Sequence, residues 1–104
     1  TITEQKQVDL KIQVDARERE LYGYQMNIDN YSSMLKLLPK EWPEALVQFK
    51  DMSSEEIVKK VPETHMQEVS DLVFRDKIEV TLKIEKLEQS KVTHVLNALK
   101  AQLE

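Results

Sequence analysis

The sequence predicts an all-α fold, a long antiparallel helical hairpin of residues 3–38 and 62–103 that resembles a coiled coil and is bridged by short helices over 39–61. The main evidence is an apolar seam whose residues advance by alternating steps of four and three. Such spacing keeps one face of a helix turned toward a neighbouring helix. The seam residues are Leu10, Val14, Arg17, Leu21, Tyr24, Ile28, Tyr31, Leu35 and Leu38.

The residues that end helices lie mainly in the middle of the chain. The sequence has one glycine, Gly23, and three prolines, Pro39, Pro43 and Pro62. Pro39 is expected to stop the first long helix, and Pro62 to open the second. Gly23 costs the first helix about 1 kcal/mol relative to alanine, and is either a tolerated exposed residue or a place where a neighbour comes close. A length of 104 residues suits one domain spanning 1–104.

Each predicted helix begins at a recognisable signal. Thr3 and Glu4 suit the cap and the first turn of the first helix. In the connector, a short helix is expected after Pro43. A second one is expected after Ser53 or Ser54, because two glutamates follow the capping serine there.

The final helix carries two apolar seams, and a helix with two apolar seams needs more than one neighbour. The first seam consists of Met66, Val69, Val73, Val80, Ile84 and Leu87. The second seam consists of Ile78, Leu82, Val92, Leu96, Leu99 and Leu103.

Two blocks, residues 7–14 and 77–85, also fit a β-strand, because apolar and polar residues alternate in each. The alternative is therefore an α+β fold in which these blocks form a small two-stranded antiparallel ribbon. The helical interpretation is favoured because both blocks continue in phase into longer three-residue and four-residue spacings. Neither block is bordered by turn residues.

The same two blocks predict self-association. If the long helices reverse direction in the middle of the chain, Lys11 and Thr81 come level, and both helices have apolar residues on two sides at that height. A monomeric hairpin would leave one side in water, whereas a dimer or larger bundle would bury it. The predicted self-association residues are Val8, Ile12, Val80, Ile84 and Leu87.

The residues that carry catalysis or bind metals form no convergent set in this sequence. There is no cysteine, and His65 and His94 each lack the partners that a helical metal site requires. The single glycine excludes a glycine-rich phosphate loop. Carboxylate pairs such as Glu55 and Glu56 are explained by the helix dipole. We therefore expect no enzyme activity, no catalytic residue, no metal and no cofactor.

Charge and hydropathy limit the classes of partner that the chain is expected to bind. Charged residues of both signs are interspersed, with a formal net charge of −4, so the basic patch of a nucleic-acid-binding protein is missing. The polar faces are not cationic, as binding to a membrane surface would require. No apolar run is long enough to span a bilayer, and the first eleven residues lack the apolar stretch of a secretory signal. We expect a cytoplasmic protein that binds neither nucleic acid nor membrane.

Trp42 is the most distinctive residue of the connector. It either plugs the open end of the hairpin or forms a binding hot spot, since tryptophan is enriched among the residues that dominate interfaces. The candidate partner-binding residues are Trp42, Leu46 and Phe49. The expected function is that of a small acidic adaptor, inhibitor or assembly factor that contacts itself and another protein. The alternative is a structural subunit of a larger assembly, of phage or bacterial kind.

Overall fold

The computed structural model describes residues 2–103, and they form an all-α structure in which two long helices pair. The long helices are α1, Ile2–Leu37, and α3, Met66–Leu103, and a short helix, α2, spans Ser54–Lys60. Single 3₁₀ turns cover Val47–Phe49 and Glu63–His65. No strand occurs within 2–103, so the alternative ribbon of residues 7–14 and 77–85 is wrong, and both blocks are helical.

The bounds of α1 follow the sequence signals closely. The helix ends at Leu37, two residues before Pro39, as predicted. It begins at Ile2, so Thr3 lies inside the helix and not at its cap. Gly23 is helical, and a Cβ built on it would have no neighbour within 4 Å. Within the chain, Gly23 is therefore a tolerated glycine in open space.

The connector holds α2 in place through a serine cap. The Ser53 hydroxyl accepts a hydrogen bond from the Glu56 amide at 3.3 Å, which confirms the predicted N-cap. Glu55 and Glu56 lie in the first turn of α2, and Lys60 forms an ion pair with Glu56. The short helix expected after Pro43 is only a turn followed by the 3₁₀ turn Val47–Phe49.

The chain divides into two compact units. Unit 1 comprises Thr1–Asn30 and Leu82–Glu104, and unit 2 comprises Tyr31–Thr81. In unit 1, α1 and α3 run antiparallel, as three polar contacts between them show. Lys100 pairs with Glu18, Gln89 donates to Gln25 at 2.8 Å, and Asn27 donates to Glu85 at 3.3 Å.

Burial in unit 1 follows the predicted seams. Leu10, Val14 and Ile28 of α1 are buried, and the other seam residues between them are half-buried. On α3, Leu96 is buried, and the rest of the second predicted seam from Leu82 onward is half-buried. Because unit 1 contains only these two helical segments, their buried sides face each other. The predicted helix pairing is confirmed.

The helix register differs from the one that the sequence predicts. Gln25 lies opposite Gln89, so residues 8–14 lie toward the C-terminal end of α3 and not level with residues 82–84. The half-buried Glu85 and Gln89 occupy the two positions where the apolar seam of α3 is interrupted, and each bonds to α1. These two polar pairs mark the register that the helices adopt.

Unit 2 has an apolar core of its own. Val69 and Leu72 of α3 are completely buried there. They pack with four buried residues of the connector and α2, with partly buried side chains around them. The four are Leu46, Phe49, Ile57 and Val61, and the surrounding side chains are Trp42, Met52, Met66 and Val73. Full burial of a leucine contributes about 2 kcal/mol, so this cluster is the main stabilising feature of unit 2.

Candidate interaction surfaces

Two stripes of exposed apolar side chains follow the long helices of unit 1. The α1 outer stripe consists of Val8, Ile12, Tyr22 and Met26, which are 49% to 69% exposed. The α3 outer stripe consists of Ile84, Leu87 and Val95, which are 49% to 55% exposed. Four of the five predicted self-association residues, Val8, Ile12, Ile84 and Leu87, belong to these stripes. The fifth, Val80, is also exposed and lies in unit 2.

The α1 outer stripe, with Ile84 and Leu87 of the α3 outer stripe, lies on the side of its helix opposite to the buried seam. Val8 and Ile12 precede the seam residues Leu10 and Val14 by two positions, and two residues of an α-helix turn through about 200°. Ile84 follows Leu82 by two positions, whereas Val95 directly precedes the buried Leu96 and lies at the edge of the seam. Single exposed apolar residues are ordinary, but residues aligned at helical spacing form a continuous face.

Charges distinguish the two stripes. The α1 segment of unit 1, residues 2–30, has six acidic and four basic residues, whereas the α3 segment, residues 82–103, has four basic and two acidic residues. Lys83 and Lys91 flank the α3 outer stripe, and Asp15 and Asp29 flank the α1 outer stripe. Lys91 pairs with Glu88 at 3.2 Å, and Arg19 lies beside Tyr22 on the α1 side, so the charge difference between the two faces rests on Lys83 against Asp15 and Asp29.

A shallow depression of about 320 Å³ interrupts the α1 outer stripe. Its walls are Asp15, Glu18, Arg19 and Tyr22. The aliphatic part of Arg19 and the ring of Tyr22 offer apolar surface there, because both side chains have an apolar body and a polar end.

The structure places Trp42, Leu46 and Phe49 in or against the core of unit 2. Leu46 and Phe49 are buried, so they are not available to a partner in the folded chain, and we withdraw them as partner-binding residues. Trp42 is half-buried against the same cluster, and its indole Nε1 donates to Asp76 at 3.0 Å. These contacts give Trp42 the packing role that the sequence left open.

A groove of about 330 Å³ lies between α2 and α3 in unit 2. Its apolar walls include Ile57, Val58, Val73 and Phe74, of which Val58 is the most exposed, and Lys77 lies at its margin. The Lys77 ammonium has no ion-pair partner among residues 2–103. Sequence reasoning missed this groove because its walls come from two helices whose contact only the fold defines.

The polar side chains of the described residues do not gather into a reactive site. His65 lies 3.9 Å from Glu68 on the surface, and His94 is exposed. No cluster of three histidine or carboxylate groups suited to a metal occurs within 2–103. No helix of those residues is long and apolar enough to cross a membrane.

No family model matches the chain. Searches of curated proteins and of solved structures find no match either.

Proposed function

We propose that the chain is a non-catalytic protein-interaction module that associates with copies of itself through the outer stripes of unit 1. The supporting observation is the exposure of Ile12, Ile84 and Leu87, each more than half exposed and each in line with other apolar residues. Continuous apolar faces on small proteins mark interaction sites, since leaving them in water forgoes about 25 cal/mol per Å².

The absence of a reactive constellation among residues 2–103 favours the non-catalytic role. Catalysis requires a nucleophile, an acid or a base in a pocket that orients it and shifts its pKa. The polar residues on the stripes, such as Asp15 and Lys83, lie on open helix surfaces. They are suited to steering and specificity in association.

Light scattering coupled to size separation tests self-association. The expected result is a mass that exceeds the 12.2 kDa of one chain and increases with concentration up to about 100 μM. Ile84→Ser is expected to lower the mass, and Val47→Ser, a substitution at a similarly exposed apolar residue outside the stripes and the groove, is the matched control. A wild-type mass of one chain at all concentrations would refute the proposal. A mass that keeps increasing with concentration would favour the structural subunit over the closed module.

The α2–α3 groove favours a second contact, with another protein. We propose as its occupant an apolar helix that carries an acidic residue, because apolar walls are combined there with the unpaired Lys77. Anilinonaphthalene sulfonate, which joins apolar rings to an anion, is a suitable probe. Its fluorescence should fall severalfold in Lys77→Glu and in Val58→Asp, but not in Ile84→Ser. Equal fluorescence in the wild type and all three variants would exclude the groove as the binding site of the probe.

A further inference from the structure

We infer that copies of this chain associate head to tail, with the α1 outer stripe of one copy docked on the α3 outer stripe of the next. The inference rests on the proposed self-association and specifies its geometry. The occupant of each stripe is therefore a second copy of the chain, and the interface joins two different faces.

The positions of the stripes favour this arrangement. Apart from Val95, both stripes lie opposite the seam between α1 and α3, so in unit 1 they point away from each other. A two-fold dimer that paired Leu87 with its symmetry mate would bury the α3 outer stripe but leave Ile12 and Met26 of both copies in water. Alternation of α1 and α3 brings Met26 and Leu87 together, so that the overlapping parts of the two stripes are buried with one kind of contact.

Charge complementarity also favours unlike faces. Two α3 outer stripes would bring Lys83 of one copy close to the same residue of another, and two α1 outer stripes would bring Asp15 and Asp29 together. Like charges across an interface oppose association, whereas opposite charges at its rim steer it. Lys83 has no ion-pair partner among the described residues and remains available for such a contact.

If neighbouring copies are related by a translation perpendicular to the long helices, α1 of one copy lies beside α3 of the next. The two helices then have the same register that they have within unit 1. Gln25 lies opposite Gln89 in the chain, so Met26 of one copy comes level with Leu87 of the next. Asp29 then comes level with Lys83, on the same flank of the contact. Val95 comes level with Arg19. This register therefore places Met26 against Leu87 and Asp29 beside Lys83, whereas Ile12 comes level with Ala101, beyond the α3 outer stripe.

A complementation experiment distinguishes head-to-tail association from pairing of like faces. Met26→Glu blocks the α1 outer stripe, and Leu87→Glu blocks the α3 outer stripe. Both positions are about half exposed, so neither substitution should disturb the fold, which circular dichroism checks. A buried carboxylate at a central contact should weaken each interface about 30-fold or more.

The expected result is that each variant alone has the mass of one chain, while an equal mixture forms a one-to-one complex of twice 12.2 kDa. In the mixture, the intact α1 outer stripe of one variant meets the intact α3 outer stripe of the other. An associating wild type whose mixed variants stay monomeric would overturn the inference and leave self-association standing. The inference would also be overturned if either variant alone dimerised as strongly as the wild type. A monomeric wild type would refute self-association itself.

Tyr22→Glu and Ile84→Glu repeat the experiment at independent positions of the two stripes, in case one of the first pair fails to fold. The same complementation is expected from them. If the inference holds, a head-to-tail contact closes into a ring where the rotation between copies allows it, and otherwise extends as an open row.

Discussion

Replacing Trp42 separates a packing role from a binding role, and the structure fixes the expected size of the effect. Truncation of a fully buried aromatic ring costs about 3–5 kcal/mol, and Trp42 is half-buried, so we expect Trp42→Ala to lower the free energy of unfolding by about 2–3 kcal/mol. Part of this comes from the Nε1 hydrogen bond to Asp76. Because the Asp76 side chain is 32% exposed, this hydrogen bond contributes about 1 kcal/mol of the expected loss.

Urea unfolding followed by circular dichroism measures these values, since Trp42 is the only tryptophan and its fluorescence is lost in the variants. Trp42→Phe should cost about 1 kcal/mol, and a double-mutant cycle with Asp76→Ala should return a coupling of about 1 kcal/mol. Leu37→Ala, which truncates an exposed residue, should change stability by less than about 0.5 kcal/mol. If Trp42→Ala were as stable as Leu37→Ala, the packing role would be refuted.

Three further substitutions test the stability of particular elements, each by denaturant unfolding. Gly23→Ala should stabilise the chain by about 0.5–1 kcal/mol, because α1 is helical there and no atom lies within 4 Å of the added Cβ; a loss of stability would mean that something packs on Gly23. Leu72→Ala should cost about 3–5 kcal/mol because Leu72 is fully buried, whereas a cost below about 1 kcal/mol would contradict the assigned core. Ser53→Ala should cost about 1 kcal/mol through the lost cap of α2, with Ser53→Thr as the conservative control, and equal losses in both would speak against capping.

The two long helices, their approximate ends and the buried face of α1 could be predicted because these depend on local sequence. A seam such as Leu10 to Leu38 fixes which side of a helix is apolar, and Pro39 and Ser53 act on the backbone next to them. The candidate surfaces were predicted in part. The exposed Ile12 and Leu87 could be named from a second apolar period, whereas Leu46 and Phe49 could not be assigned to the core before the connector was folded.

The sequence by itself determined that the chain has two long amphipathic segments, and it favoured helix over ribbon for residues 7–14 and 77–85, because apolar spacing and helix-ending residues act over a few turns. Only the tertiary structure decided the register and the identity of the covered seam. Shifting one helix along the other preserves most apolar contacts, so apolar pattern alone does not select a register. The polar contacts of Glu85 and Gln89 with α1, between residues far apart in the chain, distinguish the observed one. The choice of the covered seam leaves Ile84 and Leu87 more than half exposed on the outer side of α3.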